Sequence, residues 1–234
     1  MQMPELRSSP PMPLAFLIDL DGTLVDTLGD FVEALARMSQ DLQLPAPGRE
    51  FVGKTVGRGS EHLLRSCLAH VGADAGLYET AWQRYQAHYG AINGEYSTLF
   101  PGVREGLAWL RAQGLPMACL TNKPSAFAKQ LLARKSLDGY FDRVFGGDDF
   151  ARQKPDPMPL LKTCEALGVA PERSWMVGDS SNDAQAAKAA GCPVVLMRYG
   201  YNHGEPIAQV PALAHLDRLD QIGAVLARRA HPTP

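Results

Sequence analysis

Seven residues have types and spacing suited to chemistry: Asp19, Asp21, Thr121, Asn122, Lys154, Asp179 and Asp183. Most stand in or just past the end of a short apolar run: residues 14–20, 116–121 and 174–178. Lys154 comes shortly after a weaker run, 143–145. Four acids, one lysine and two hydrogen-bonding side chains suit a phosphate ester together with a cation. A phosphate monoester is a dianion near neutral pH, so carboxylates alone would repel it. A hard divalent ion such as Mg2+ prefers oxygen ligands and resolves the conflict. It would neutralise charge and align phosphorus for in-line attack. Lys154 would hold the phosphoryl oxygens from another side, and the Thr121 hydroxyl and Asn122 amide would add hydrogen bonds. Of Asp19 and Asp21, one carboxylate can attack phosphorus and form an aspartyl-phosphate. The other can protonate the leaving alkoxide and then activate water. Gly22 permits the tight turn beside them.

The elements that must position these residues follow from the hydrophobic pattern. The apolar runs, with 193–197 as a further one, read as strands buried on both faces. Helical spacing separates them: residues 103–113 before Gly114, 125–134 with Ser125 as N-cap, 157–167 before Gly168, and 182–190 before Gly191. Strands alternating with helices predict a parallel sheet covered on both sides, an α/β Rossmann-like core. Ligands in such sheets bind beyond the carboxyl ends of the strands, where the polar residues lie. The exception is the stretch between Asp26 and about Leu99, which shows no convincing strand. Its helical spacing at Phe31, Leu35 and Met38, around Leu64 and Leu68, and in 77–89 predicts an inserted helical cap whose two ends lie close together. The expected organisation is a loose tail at 1–12, a core at 13–26 and 99–228, and a cap at 27–98. A mobile cap over the site is a natural use of such an insertion.

Composition narrows the classes. The chain has 234 residues, enough for a substantial core, with 45% hydrophobic and 21% charged residues and a formal net charge of -2. No basic stripe points to nucleic acid, and no apolar run approaches a membrane span. The four cysteines are widely spaced, without a zinc pattern, and read as reduced thiols of a cytoplasmic protein. The expected partner is a small phosphorylated molecule, with no nucleic acid and no membrane.

Asp19-Leu-Asp21-Gly-Thr-Leu-Val-Asp26 resembles the first motif of the haloacid dehalogenase superfamily. Thr121-Asn122 resembles its second, Lys154-Pro155 its third, and Gly178-Asp179-Ser-Ser-Asn-Asp183 its fourth, in the same order. The resemblance implies Asp19 as nucleophile and Asp21 as general acid and base. It also implies Mg2+ held by Asp19, the Asp21 backbone carbonyl and Asp179, with Asp183 behind them or as an occasional ligand. More finely, residues 51–57, 179–192 and 200–206 resemble the bacterial phosphoglycolate phosphatases, with His203 where a tyrosine is expected. That implies hydrolysis of 2-phosphoglycolate. The alternatives are another small ester, pyrophosphate, or phosphoryl transfer within a sugar. A dehalogenase lacks the second aspartate, and a mere binding protein has no need of the full set.

Each motif residue also has a plainer reading. Asp19 and Asp21 could form a polar turn, Asp179 and Asp183 could cap a helix, and Lys154 could be a solvated lysine. Lys54 and Arg58 are candidates to meet a substrate carboxylate or are ordinary loop charges. His203 reads as structural, and Trp82, Tyr85 and Tyr89 as cap core.

Overall fold

A computed structural model describes residues 11–230. The expected tail therefore lies outside the described residues, apart from Pro11 and Met12, whose carbonyl accepts a hydrogen bond from Arg173 Nε at 3.2 Å.

The apolar runs form strands β1 (Ala15–Ile18), β4 (Met117–Leu120), β5 (Arg143–Phe145), β6 (Ser174–Gly178) and β7 (Val194–Met197). With β8 (Ala214–Leu216) they make a six-stranded sheet in the order β5-β4-β1-β6-β7-β8, every pair parallel. Period-two alternation sorts the side chains of β1 to opposite faces. Phe16 and Ile18 pack with Leu107 of α5 (Val103–Ala112), Leu131 of α6 (Ser125–Arg134) and Ile222 of α9 (Ile222–Ala230). Leu17 packs on the other side with Leu160 of α7 (Met158–Leu167) and Ala187 of α8 (Ser181–Ala190). Burying each large apolar side chain contributes about 1.5–3 kcal/mol.

β1 lies at the topological switch: β4 and β5 extend to one edge, β6 to β8 to the other. The cleft therefore opens at the carboxyl end of β1, between those of β4 and β6.

The stretch after β1 folds into α1 (Leu28–Asp41), α2 (Arg49–Thr55), α3 (Ser60–His70) and α4 (Tyr78–Ile92). Their apolar faces share one cluster, with Phe31, Leu35 and Met38 on α1 meeting Ala81, Tyr85, Tyr89 and Ile92 on α4. This is the inserted helical cap. Its ends are joined by a short antiparallel pair, β2 (Val25–Asp26) and β3 (Thr98–Leu99), with Val25 opposite Leu99 and Asp26 opposite Thr98. Buried Asp30 reinforces this closure by accepting hydrogen bonds from the Gly94 and Tyr96 amides. Two-residue strands are too short to give a periodic signal, and polar His215 masks β8.

One capping expectation changes. Ser125 lies inside α6 rather than at its N-cap, where Pro124 stands without a side-chain cap. The Asp148 carboxylate, from the loop after β5, accepts from the Ser125 amide at 2.7 Å instead. A helix end needs an acceptor for its free amides, and here a distant one supplies it. Among the described residues, no helix is long and apolar enough to cross a membrane.

Candidate active site

The ends of β1, β4 and β6 place Asp19, Asp21, Thr121, Asn122 and Asp179 at one cleft, where the loop after β5 adds Lys154 and α8 adds Asp183. On its floor, Asp19, Asp179 and Asp183 each offer a carboxylate oxygen, all within 4.8 Å of one another. Lys154 lies among them, with a side chain 2% exposed. Its ammonium reaches Asp183 Oδ1 at 2.7 Å, the Leu120 carbonyl at 2.8 Å and Asp19 Oδ1 at 3.1 Å. Two of these contacts are hydrogen bonds, to Asp183 and Leu120; the third is an ion pair that leaves the buried Asp19 Oδ1 without a hydrogen-bond donor.

These groups shift one another. Burial pushes the Asp19 carboxyl up to about 7, against the pull of Lys154 and with help from Asp183. Burial likewise holds Asp179 well above the usual carboxylate range, with Asp183 and Asp19 adding to it, and Thr23 and the Tyr201 amide opposing it. For Lys154, burial alone would lower the value, but Asp183 and Asp19 hold it above the ordinary lysine range. Three acids against one lysine leave negative charge that a cation would neutralise.

The donor set suits a hard ion. Asp179 takes one hydrogen bond on each oxygen, from Thr23 Oγ1 and from the Tyr201 amide, both at 2.6 Å, leaving lone pairs free. Its carboxylate is wedged against two backbone turns. A Cβ on Gly22 (φ +85°) would stand 2.2 Å from Asp179 Oδ2, and one on Gly200 2.4 Å. Asp183 is more fully spent: its Oδ2 accepts from the Ser180 hydroxyl and the Ser180 amide, and its Oδ1 from Lys154. Ser180 is the N-cap of α8 and Asp183 closes the capping box, so the helix-capping reading holds for Asp183 but not for Asp179, which lies outside the helix.

The wall facing the cap is built differently. Asp21 Oδ1 pairs with Lys123 Nζ at 2.8 Å, and the same ammonium donates to the Tyr89 hydroxyl. Lys123 also stands 4.7 Å from the centre of the Phe31 ring and 4.8 Å from that of Tyr89. Thr121 Oγ1 accepts from the Lys123 amide at 3.2 Å, which leaves its hydroxyl hydrogen free to donate. The Asn122 side chain differs from expectation. Its Nδ2 donates to the Gly57 carbonyl at 3.0 Å and the Lys154 carbonyl at 2.8 Å, and its Oδ1 accepts from the Lys154 amide. Both amide hydrogens are committed to backbone carbonyls, so none is left for a phosphoryl oxygen. Asn182 Nδ2 reaches the same Gly57 carbonyl at 3.1 Å. The cap is thus drawn down over a cavity of about 30 Å³ bounded by Asp19, Asp21, Thr121, Lys123 and Tyr89.

Lys123, Thr23, Asn182 and Tyr201 escaped the sequence reading. Lys123 had a signal, since it directly follows Asn122. Thr23 lies inside the first motif. Tyr201 had none, because its hydroxyl binds Asp26 and its amide binds Asp179 only through the fold. Tyr89 belongs to the cap core, yet its hydroxyl also meets the cleft. Lys54 pairs with Glu50 at 2.6 Å on the exposed side of α2, and Arg58 lines a separate opening with His62, Arg65 and Arg152. His203 is half-buried, and burial, with Arg58 nearby, lowers its imidazole below the usual range. It contacts Asn182 Nδ2 at 3.3 Å.

The family model of haloacid dehalogenase-like hydrolases matches residues 16–197. The chain belongs to that family. Among curated members of this hydrolase family, a phosphoglycolate phosphatase of Thiobacillus denitrificans is 42% identical over 214 residues, covering 87% of this chain and 94% of the relative. A plasmid phosphoglycolate phosphatase of Cupriavidus necator is 44% identical over 213 residues, covering 91% and 92%. A crystal structure of a predicted phosphoglycolate phosphatase from Haemophilus somnus 129pt superposes with a TM-score of 0.86 at 31% identity, covering 92% of this hydrolase and 97% of that chain.

Proposed function

We propose that this chain is a Mg2+-dependent phosphatase that hydrolyses a small phosphate monoester, 2-phosphoglycolate, to glycolate and phosphate. The observation that carries the reading is the pairing of Asp19 and Asp21 on one small cavity, the first tied to Lys154 and the second to Lys123. The names of the relatives point to the same substrate. Residues 13–26 and 99–228 serve as catalytic core and 27–98 as cap, in a cytoplasmic protein whose cysteines are free thiols.

In this reading Asp19 and Asp179, with the Asp21 backbone carbonyl, would hold the ion, and Asp183 would orient Lys154 and the start of α8 behind them. Bound there, Mg2+ supplies positive charge against the phosphoryl dianion. Asp19 attacks phosphorus as the bond to the ester oxygen breaks, giving an aspartyl-phosphate. Asp21 gives its proton to the leaving alkoxide. It then takes a proton from the water that attacks phosphorus, and the bond to Asp19 breaks to release phosphate. Thr121 donates its hydroxyl hydrogen to a phosphoryl oxygen. Lys154 holds the attacking carboxylate in place and offsets its charge.

Phosphate release from 2-phosphoglycolate, several sugar phosphates and pyrophosphate, with Mg2+ and with EDTA, tests this. The expected result is Mg2+-dependent release with the highest kcat/KM on 2-phosphoglycolate and no need of a bisphosphate activator. A higher kcat/KM on several sugar phosphates overturns the substrate, and no release from any ester overturns the phosphatase.

A further inference from the structure

We propose that Lys123 sets substrate choice by taking a second anionic group of the ester, a carboxylate separated from the ester oxygen by a single methylene. The proposal rests on the phosphatase reading and names the group that reads its substrate.

Among the described residues, Lys123 is the only cationic side chain lining the cavity under the cap. Lys154 is absent from that lining; it donates to Asp183 and the Leu120 carbonyl and forms an ion pair with Asp19 at 3.1 Å. Lys54 and Arg58, the cations that the loop sequence offers, lie outside it. Lys123 has a side chain 2% exposed and donates to Asp21 and Tyr89. Two of its three hydrogens are therefore used and one remains. The flanking Phe31 and Tyr89 rings stabilise the charge through their faces but accept no full hydrogen bond.

Position supports the assignment. Asp21 serves the ester oxygen, and Lys123 Nζ is 2.8 Å from Asp21 Oδ1. A carboxylate one methylene beyond that oxygen falls beside the ammonium. The cavity is small, about 30 Å³, so any ester, 2-phosphoglycolate included, requires the site to widen on binding. An ester whose group beyond the methylene is apolar or neutral would leave the remaining N–H of a buried ammonium without an acceptor, which is costly.

The test compares 2-phosphoglycolate with ethyl phosphate, in which a methyl replaces the carboxylate, on the full-length wild type and on K123M. The wild type is expected to prefer 2-phosphoglycolate in kcat/KM by about a hundredfold or more. K123M is expected to bring the two esters to within about threefold of each other, because the charge that distinguishes them is gone. An equal fall on both esters would make Lys123 only a support for Asp21 and overturn the proposal. A wild type that does not discriminate between the esters overturns it whether or not K123M folds. Calorimetric binding to D19N and to D19N/K123M gives a readout independent of turnover. Loss of 2-phosphoglycolate affinity in the double variant, with ethyl phosphate affinity unchanged, supports the role. Equal affinities in the two proteins refute it. If the wild type releases phosphate from neither ester, the phosphatase reading fails by itself, and the binding comparison still judges Lys123.

Discussion

Lys154 and Lys123 are both almost fully buried at the same cleft, yet they belong to regions held together by different means. Lys154 sits on the floor, where every partner comes from the sheet core: Asp19 after β1, the Leu120 carbonyl of β4 and Asp183 on α8. Lys123 sits on the wall, where one partner, Asp21, is core and the other, Tyr89, is cap. The contacts of Lys154 on the floor include no residue of the cap. The wall takes its Tyr89 contact from the cap, and the Gly57 carbonyl held by Asn122 and Asn182 also joins cap to core. In the proposed reading the floor supplies the nucleophile and the cation site, while the wall combines the acid and base, Asp21, with the group proposed to choose the substrate, Lys123.

The largest expected effect breaks the floor. D19N should lower turnover by about 10⁴-fold or more while the fold persists, as for loss of a nucleophile. Near-normal phosphate release from D19N would remove Asp19 from that role. K154M comes next. It strands Asp183 and Asp19 without their buried counter-charge, and we expect a loss of stability of about 3–5 kcal/mol in denaturant melts. A change below about 1 kcal/mol would show that the floor does not depend on this pair.

The third prediction concerns the charge on the floor without metal. Burial raises the Asp19 carboxyl from 3.8 to about 7, against the pull of Lys154. Its folded value lies above its unfolded value, so between these limits the folded protein holds a proton that the unfolded chain has lost. Stability should therefore fall as pH rises from about 4 to about 7 in EDTA. D19N should show a shallower fall in Tm over the same range, and excess Mg2+ should flatten the wild-type trend. Parallel curves for wild type and D19N would refute the assignment.

The smallest effect belongs to the wall. N182A removes one of the two side-chain donors to the Gly57 carbonyl, a bond of about 0.5–1.5 kcal/mol. We expect a rise in KM of a few-fold, with little change in Tm. A fall in kcat as deep as that of D19N would erase the distinction between floor and wall.

Much of this was legible from the chain. The apolar runs are short, buried on both faces and closed by polar residues, so their strand character and the location of Asp19, Thr121 and Asp179 at strand ends follow from local pattern and the geometry of parallel sheets. The cap is legible because Phe31, Leu35 and Met38 keep helical spacing where strand spacing stops. What local pattern does not contain is the competition for donors. Asn122 looks like a substrate ligand in sequence, but in the fold two backbone carbonyls claim its amide. Lys154 looks like a phosphate ligand in sequence, and in the fold it donates to Asp183 and the Leu120 carbonyl and pairs with Asp19. Lys123 looks like a loop lysine, but Tyr89 and Asp21 close around it. Residue type and spacing determined which groups could reach the cleft. Only the tertiary structure decided which of them kept a hydrogen to offer, because a buried donor is satisfied by whichever acceptor the packing places nearest, however far away in the chain.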